Sequence, residues 1–210
     1  MMKAVTIRIV DDEAQVRQSL RWLLESVDLN VEEYAQAESC LEQLDPDLPG
    51  CVLLDIRMPG MGGPALQQVL QQRAPELPVI FMTGHGDVSL AVRAMKSGAF
   101  DFFEKPYNDQ LLLESVHKAL ELNAHLLDQR QYTVGLAERH ANLTAREQDV
   151  LAGLLRGLGS KQLAAELNIS VKTVDVHRHN LMQKMRADNL AQLFSICAGL
   201  GLLPPPTDPN

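Results

Sequence analysis

Four places in the first half of the chain carry side chains that could together handle a phosphoryl group: Asp11 with Asp12, Asp55, Thr83 and Lys105. Each stands at the end of a short apolar run: AVTIRIV at 4–10, CVLLD at 51–55, PVIFMT at 78–83 and AFDFFEK at 99–105. Three carboxylates brought together repel unless a cation joins them. Oxygen-only ligands suit a hard ion such as Mg²⁺, which keeps several waters and commonly serves phosphate chemistry. A lysine and a hydroxyl nearby would bind the oxygens of an incoming phosphoryl group. The set looks built for phosphorylation of a carboxylate, and the turn DIRMPGMGG at 55–63 presents the Asp55 carboxylate at its strand's exit. Taken singly, each residue has a plainer reading: Asp11 and Asp12 as a helix cap, Asp55 as an Asx turn, Thr83 as a cap, Lys105 as a solvated lysine. Their order along the chain favours the joint reading.

Convergence requires that the runs lie side by side. Between them, and around a further run VEEYA at 31–35, lie helical patterns, the clearest placing Val16, Leu20, Leu23, Leu24 and Val27 on one face. Strands alternating with helices imply a parallel sheet covered on both faces. Ligands of such sheets sit beyond the carboxyl ends of the strands, where these side chains cluster.

The chain has 210 residues, longer than one common domain, so two modest domains are expected. Apolar content of 46% and charged content of 22% are ordinary for a globular protein. No apolar stretch approaches the roughly 20 residues needed to cross a bilayer, and MMKAVTIRIVDDE lacks a signal-peptide layout. A cytoplasmic protein without membrane contact is expected. Cys40, Cys51 and Cys197 are widely spaced among apolar neighbours, which reads as core packing rather than disulfides or metal ligation. Residues 1–125 hold 10 Lys+Arg against 19 Asp+Glu, whereas residues 126–210 hold 9 against 8, so the two halves face different partners.

The second half is helical in pattern. Residues 120–142 suit a linker extending the last helix of the first half, with Gly135 expected to loosen or interrupt it. Thr144 and Glu147 form a capping box for a helix to about Arg156, which Gly157 and Gly159 end. Ser160 is expected to cap a short helix (SKQLAAEL), Asn168–Ser170 to turn, and Ser170 to cap a longer one (VKTVDVHRHNLMQKM). This is a helix-turn-helix layout, whose second helix would enter the major groove of DNA. Spacing sets Val171, Val174, Leu181, Met182 and Met185 toward the apolar side, and Lys172, Asp175, Val176, His179 and Gln183 opposite, as candidates for base edges. Asp175 could accept from a cytosine amino group. Lys161, Lys172, Thr173 and Lys184 are candidates for phosphates, while His177 and Arg178 lie nearer the core. With 7 Lys+Arg against 5 Asp+Glu over residues 144–203, one such domain should bind DNA poorly and two copies better.

DD at 11–12, DIRMPGMGG at 55–63, TGHGD at 83–87 and EKP at 104–106 resemble the receiver domain of two-component response regulators. LTAREQDVL, GLGSKQLAAELNIS, KTVDVHRHNLMQKM and the closing helix resemble the LuxR-type DNA-binding domain. The whole chain resembles the NarL/FixJ family, nearest its FixJ-like branch. That resemblance implies a flavodoxin-like, doubly wound, five-stranded parallel receiver at 1–122 and a helical linker at 123–142. It further implies a four-helix helix-turn-helix domain at 143–203 and a disordered tail at 204–210. It implies that a sensor histidine kinase phosphorylates Asp55. Mg²⁺ would be held by Asp12, Asp55 and the Arg57 carbonyl, with Asp11 through water. Lys105 would touch the phosphoryl oxygens in a cis bond to Pro106, Thr83 would swing toward them, and Phe102 would rotate inward as the coupled switch. It also implies homodimerisation on phosphorylation through residues 87–122, with the closing helix at about 189–200 pairing the DNA-binding domains. The partners would be promoter DNA and, for an activator, RNA polymerase. The chain would be a regulator rather than an enzyme. A phosphate sink or a phosphorylation-independent DNA-binding protein are the alternatives.

Overall fold

The computed structural model describes residues 5–84 and 88–203. The expectations for residue 4, for residues 85–87 of the TGHGD motif and for the tail at 204–210 lie outside these. The chain divides into two compact units between Asp128 and Gln129.

The first unit alternates strands and helices: β1 (Thr6–Val10), α1 (Ala14–Glu25), β2 (Asn30–Tyr34), α2 (Ala37–Glu42), β3 (Gly50–Asp55), α3 (Gly63–Arg73), β4 (Val79–Thr83), α4 (Val88–Lys96), β5 (Asp101–Glu104) and α5 (Asp109–Ala141). All neighbouring strands are parallel, in the order β2-β1-β3-β4-β5. The three inner strands are buried along their whole length, while β2 and β5 at the edges are partly exposed. Inner parallel strands have both faces covered, which is why they read as continuous apolar runs rather than alternating ones. Alternation still sorts the residues between two cores. Val52, Leu54 and Phe81 pack with Leu66 and Leu70 of α3, whereas Leu53, Ile80 and Met82 pack with Leu20 and Leu24 of α1 and Leu112 and Val116 of α5. The order reverses at β1 and β3, so the ends of those strands border the crevice where a ligand is expected.

The boundary between units falls inside α5, which continues through Gly135 without the expected interruption. A mid-helix glycine costs about 1 kcal/mol relative to alanine. Burial of the adjacent Leu136, 2% exposed in the second core, outweighs this at about 2 kcal/mol. The second unit adds α6 (Ala145–Leu155), α7 (Ser160–Leu167), α8 (Val171–Met185) and α9 (Leu190–Gly199). Its core joins Val150, Leu154, Leu163, Val174, Leu181, Met185, Leu193 and Ile196. The capping box of Thr144 and Glu147 starts α6, and Asn189 caps α9 through the Gln192 N–H. Helix α7 differs from expectation. Its cap is Gly159, whose N–H donates to Gln162 Oε1, and Ser160 is the first helical residue. All three cysteines are free and buried, and burial pushes the Cys40 and Cys51 thiols up to about 11 and about 12. No helix among the described residues is long and apolar enough to cross a membrane.

Candidate functional site

The β1 chain leaves the sheet with its Asp11 N–H still donating to the Tyr34 carbonyl of β2. Asp11 is buried, 1% exposed; its Oδ1 accepts from the Glu13 N–H at 2.8 Å, and the Arg17 guanidinium holds its carbonyl at 2.6 Å. Asp55 closes β3 at 7% exposure, and its Oδ2 accepts from the Arg57 N–H at 2.7 Å, the Asx turn that its position allows. The glycines behind it explain the DIRMPGMGG pattern. Gly60 has φ 74°, and a Cβ on Gly63 would lie 2.3 Å from the Asp55 carbonyl oxygen and 3.0 Å from the Phe81 ring. Only glycine lets α3 start this close to the strand end.

Lys105 follows β5, with its N–H on the Thr83 carbonyl and a cis bond to Pro106, as the resemblance implies. Its Nζ donates to Asp11 Oδ2 at 2.7 Å and to Asp55 Oδ1 at 2.6 Å. Burial pushes the Asp55 carboxyl above its ordinary value, and the Lys105 ammonium and the Arg57 N–H pull it back without offsetting that. Burial also draws the Lys105 ammonium down, but its bonds to Asp11 and Asp55 outweigh this and hold it above the ordinary value. Thr83 closes β4 at 2% exposure, its hydroxyl 3.4 Å from the Gly84 carbonyl. Phe102 on β5 is 37% exposed and points away from the core.

The structure thus gathers Asp11, Asp55 and Lys105, with Thr83 at the adjacent strand end, but leaves Asp12 exposed. Here Lys105 supplies the positive charge that the two buried carboxylates need. The oxygen-only set of Asp11, Asp12, Asp55 and the Arg57 carbonyl suits a hard divalent cation chemically. As they stand, no three acidic, histidine or cysteine side chains among the described residues are grouped to hold one ion. Arg17, which pins the Asp11 carbonyl, was not singled out from sequence; its position one turn into α1 was the available signal.

In the second unit Asn168, at φ 55°, ends α7, and Ser170 caps α8 through the Thr173 N–H at 3.1 Å. Lys172, Thr173, Asp175, Val176, His179, Gln183 and Lys184 are all exposed, with Val174, Leu181 and Met185 buried behind them. Val171, expected on the apolar side, is 40% exposed in the first turn. Two of the candidates are committed within the unit. Asp175 Oδ1 accepts from the Ser160 hydroxyl at 2.9 Å, and that hydroxyl accepts from Arg178 Nη1 at 2.8 Å. This use of the hydroxyl explains why Ser160 does not cap α7. Lys184 Nζ donates to Glu147 Oε2 at 2.7 Å and to the Asn142 carbonyl at 3.3 Å. Burial pushes the Glu147 carboxyl up, yet the bonds from Lys184 and Thr144 outweigh it and hold the carboxyl below the ordinary value. Glu147 and Lys184 lie 37 residues apart, too far for any local sequence pattern to pair them.

Comparison with known proteins matches both units. Residues 7–117 match the response regulator receiver domain, and residues 141–197 match the bacterial regulatory proteins of the luxR family. The chain is 40% identical over 204 residues to the transcriptional regulatory protein FixJ of Azorhizobium caulinodans, covering 97% of each chain. It is also 40% identical over 194 residues to the response regulator protein TodT of Pseudomonas putida, covering 92% of this chain and 86% of TodT. Among solved structures, the response regulator StyR aligns with a TM-score of 0.85 at 43% identity, covering 93% of this chain and 98% of StyR. Full-length FixJ from B. japonicum aligns at 0.56 and 37% identity, covering 96% of this chain and 100% of FixJ.

Proposed function

The chain belongs to the NarL/FixJ family of two-component response regulators, a receiver domain followed by a LuxR-type DNA-binding domain, and on that premise we propose that phosphorylation of Asp55 controls its pairing on promoter DNA. The observation that carries this reading is the buried Asp11–Lys105–Asp55 cluster at the strand ends. A sensor histidine kinase presents a phosphohistidine; an Asp55 carboxylate oxygen attacks phosphorus, the O–P bond forms and the N–P bond breaks with its electron pair returning to the imidazole. Receiver domains generally bind Mg²⁺ in this acidic pocket, and when bound it neutralises the carboxylates and the transferred oxygens. Asp11, Asp12, Asp55 and the Arg57 carbonyl would hold it. Lys105 leaves its bond to Asp55 and binds a phosphoryl oxygen instead, and the Thr83 hydroxyl exchanges the Gly84 carbonyl for another. The product is an acyl phosphate, formed and hydrolysed readily, so the mark is temporary.

Exposed apolar side chains on one side of the receiver support a pairing face: Val92 on α4, Phe102 on β5 and Leu111 on α5 are 45%, 37% and 55% exposed. Phosphorylation shifts the receiver toward the form that pairs through this face, with Phe102 turning inward, and pairing raises effective DNA affinity. The base-edge contacts come from Asp175, Val176, His179 and Gln183, and Lys172 at the start of α8 meets a phosphate. The working place is the cytoplasm and the effect on transcription is activation, with RNA polymerase the further partner. Sedimentation of the intact protein with Mg²⁺, with and without beryllofluoride as the phosphoryl stand-in, tests the reading. A monomer-to-dimer shift that Asp55→Asn abolishes is expected; binding of the stand-in without any shift would refute control through pairing.

A further inference from the structure

The second unit holds seven cationic side chains over residues 144–203, and the structure divides them sharply. Arg146 pairs with Asp149, Arg156 with Glu166 and Lys184 with Glu147, while Arg178 donates to Ser160. Lys161, Lys172 and Arg186 have no side-chain partner among the described residues. Two of these stand where phosphate contacts are expected, at the start of α7 and the start of α8. The third is Arg186, the residue that ends α8 in the left-handed conformation at φ 53°, its N–H on the Gln183 carbonyl.

The geometry points to Arg186, in place of Lys184, as the DNA-backbone phosphate contact at the far end of the recognition helix. Past the end of α8, Arg186 lines one cleft with His179 and Gln183 of the outward-facing stripe. From Lys172 to Arg186 the helix rises about 21 Å, at 1.5 Å per residue. A helix of that length lying in a major groove about 12 Å wide brings its two ends toward the two phosphate walls while its middle faces base edges. Lys172 serves one wall and Arg186 the other. A polar cleft of about 570 Å³ at this end is lined by Arg178, His179, Met182, Gln183, Arg186 and Asp188, room enough for a phosphate beside the guanidinium. Lys184, two residues earlier, lies on the side facing Glu147; moving it to a phosphate would strand a carboxylate that is 2% exposed. Arg186 carries no such cost.

The assignment rests on the DNA-binding reading and is tested through salt dependence, since each neutralised phosphate contributes about 0.9 to the slope of log K against log salt. The full-length protein, phosphorylation-mimicked with beryllofluoride, is titrated with a mixed-sequence duplex long enough for two half-sites. Arg186→Gln lowers the slope by about 0.9 per bound copy, Arg186→Lys restores it, and Lys184→Gln, studied well below its melting temperature, leaves it at the wild-type value. Thermal melting confirms that each variant is folded. An Arg186→Gln slope equal to wild type, or one that Arg186→Lys fails to restore, overturns the assignment alone. A wild type that binds no duplex overturns the assignment and the DNA-binding reading together.

Discussion

Replacing Lys105 by methionine keeps its volume and removes the ammonium that lies 2.7 Å from Asp11 and 2.6 Å from Asp55. The side chains involved are 18%, 2% and 9% exposed for Lys105, Asp11 and Asp55, so the carboxylates lose their partner in a largely dry site. Removing one member of a buried pair costs about 3–5 kcal/mol. Because the pocket lies at the sheet edge, water can enter once the ammonium has gone, and the lower figure, about 3 kcal/mol, is expected. For a domain of this size each kcal/mol moves the melting temperature by roughly 3–5 °C, so the receiver transition should fall by about 9–15 °C at pH 7 in EDTA. Trp22, the chain's single tryptophan, lies on α1 and reports on this unit alone, with calorimetry as the second readout. The pH dependence has a definite sign. Burial already raises the Asp55 carboxyl, and without lysine it binds its proton more tightly still than an unfolded aspartate at about 3.9, so the penalty is full above its folded value and vanishes as pH falls toward 4. Mg²⁺ added at pH 7 should recover part of the loss by replacing the missing charge. A gap below about 2 °C at pH 7, or one that widens on acidification, would refute the electrostatic account of the pocket.

Gly63→Ala places a Cβ 2.3 Å from the Asp55 carbonyl oxygen, and overpacking of this kind costs about 1–3 kcal/mol. Thermal melting should show that loss, and phosphoryl incorporation from acetyl phosphate should fall because the acceptor strand end must shift. Glu147→Gln removes the charge that anchors Lys184 and should destabilise the second unit by about 2 kcal/mol at pH 7, read by calorimetry. Since the Glu147 carboxyl is held below its ordinary value, that stability is present above an unfolded value of about 4.3 and is lost as pH falls through the lower folded one. The difference between Glu147→Gln and wild type should therefore close in acid.

The sheet was legible because its inner strands are apolar throughout and end in turn residues, a pattern that depends only on neighbours in sequence. The clustering of Asp11, Asp55 and Lys105 beside Thr83 was legible for the same reason: these residues mark strand ends, and parallel strands bring their ends to one edge. What sequence spacing cannot carry is the direction of a side chain beyond the strand. Asp11 and Asp12 are adjacent and chemically alike, yet one is buried against Lys105 and the other is exposed. The choice follows from the first residue past β1 still pairing with Tyr34, which fixes its side chain inward. Gly135 misled for a related reason, since local propensity takes no account of Leu136 being buried by α-helices that come later in the chain.

The same limitation governs charge in the second unit. From composition, seven cations face five anions and the unit is weakly basic. The structure engages four of the seven in internal contacts: Lys184 against the buried Glu147 and Arg178 against Ser160, and Arg146 and Arg156 in exposed ion pairs that cost little to open. Lys161, Lys172 and Arg186 alone give one copy a salt slope of about 3, which goes with weak non-specific affinity. Two copies on adjacent half-sites add their contacts, and the second binds at the effective concentration set by the first. Under the proposed control through pairing, the low charge of one copy is what lets pairing decide occupancy.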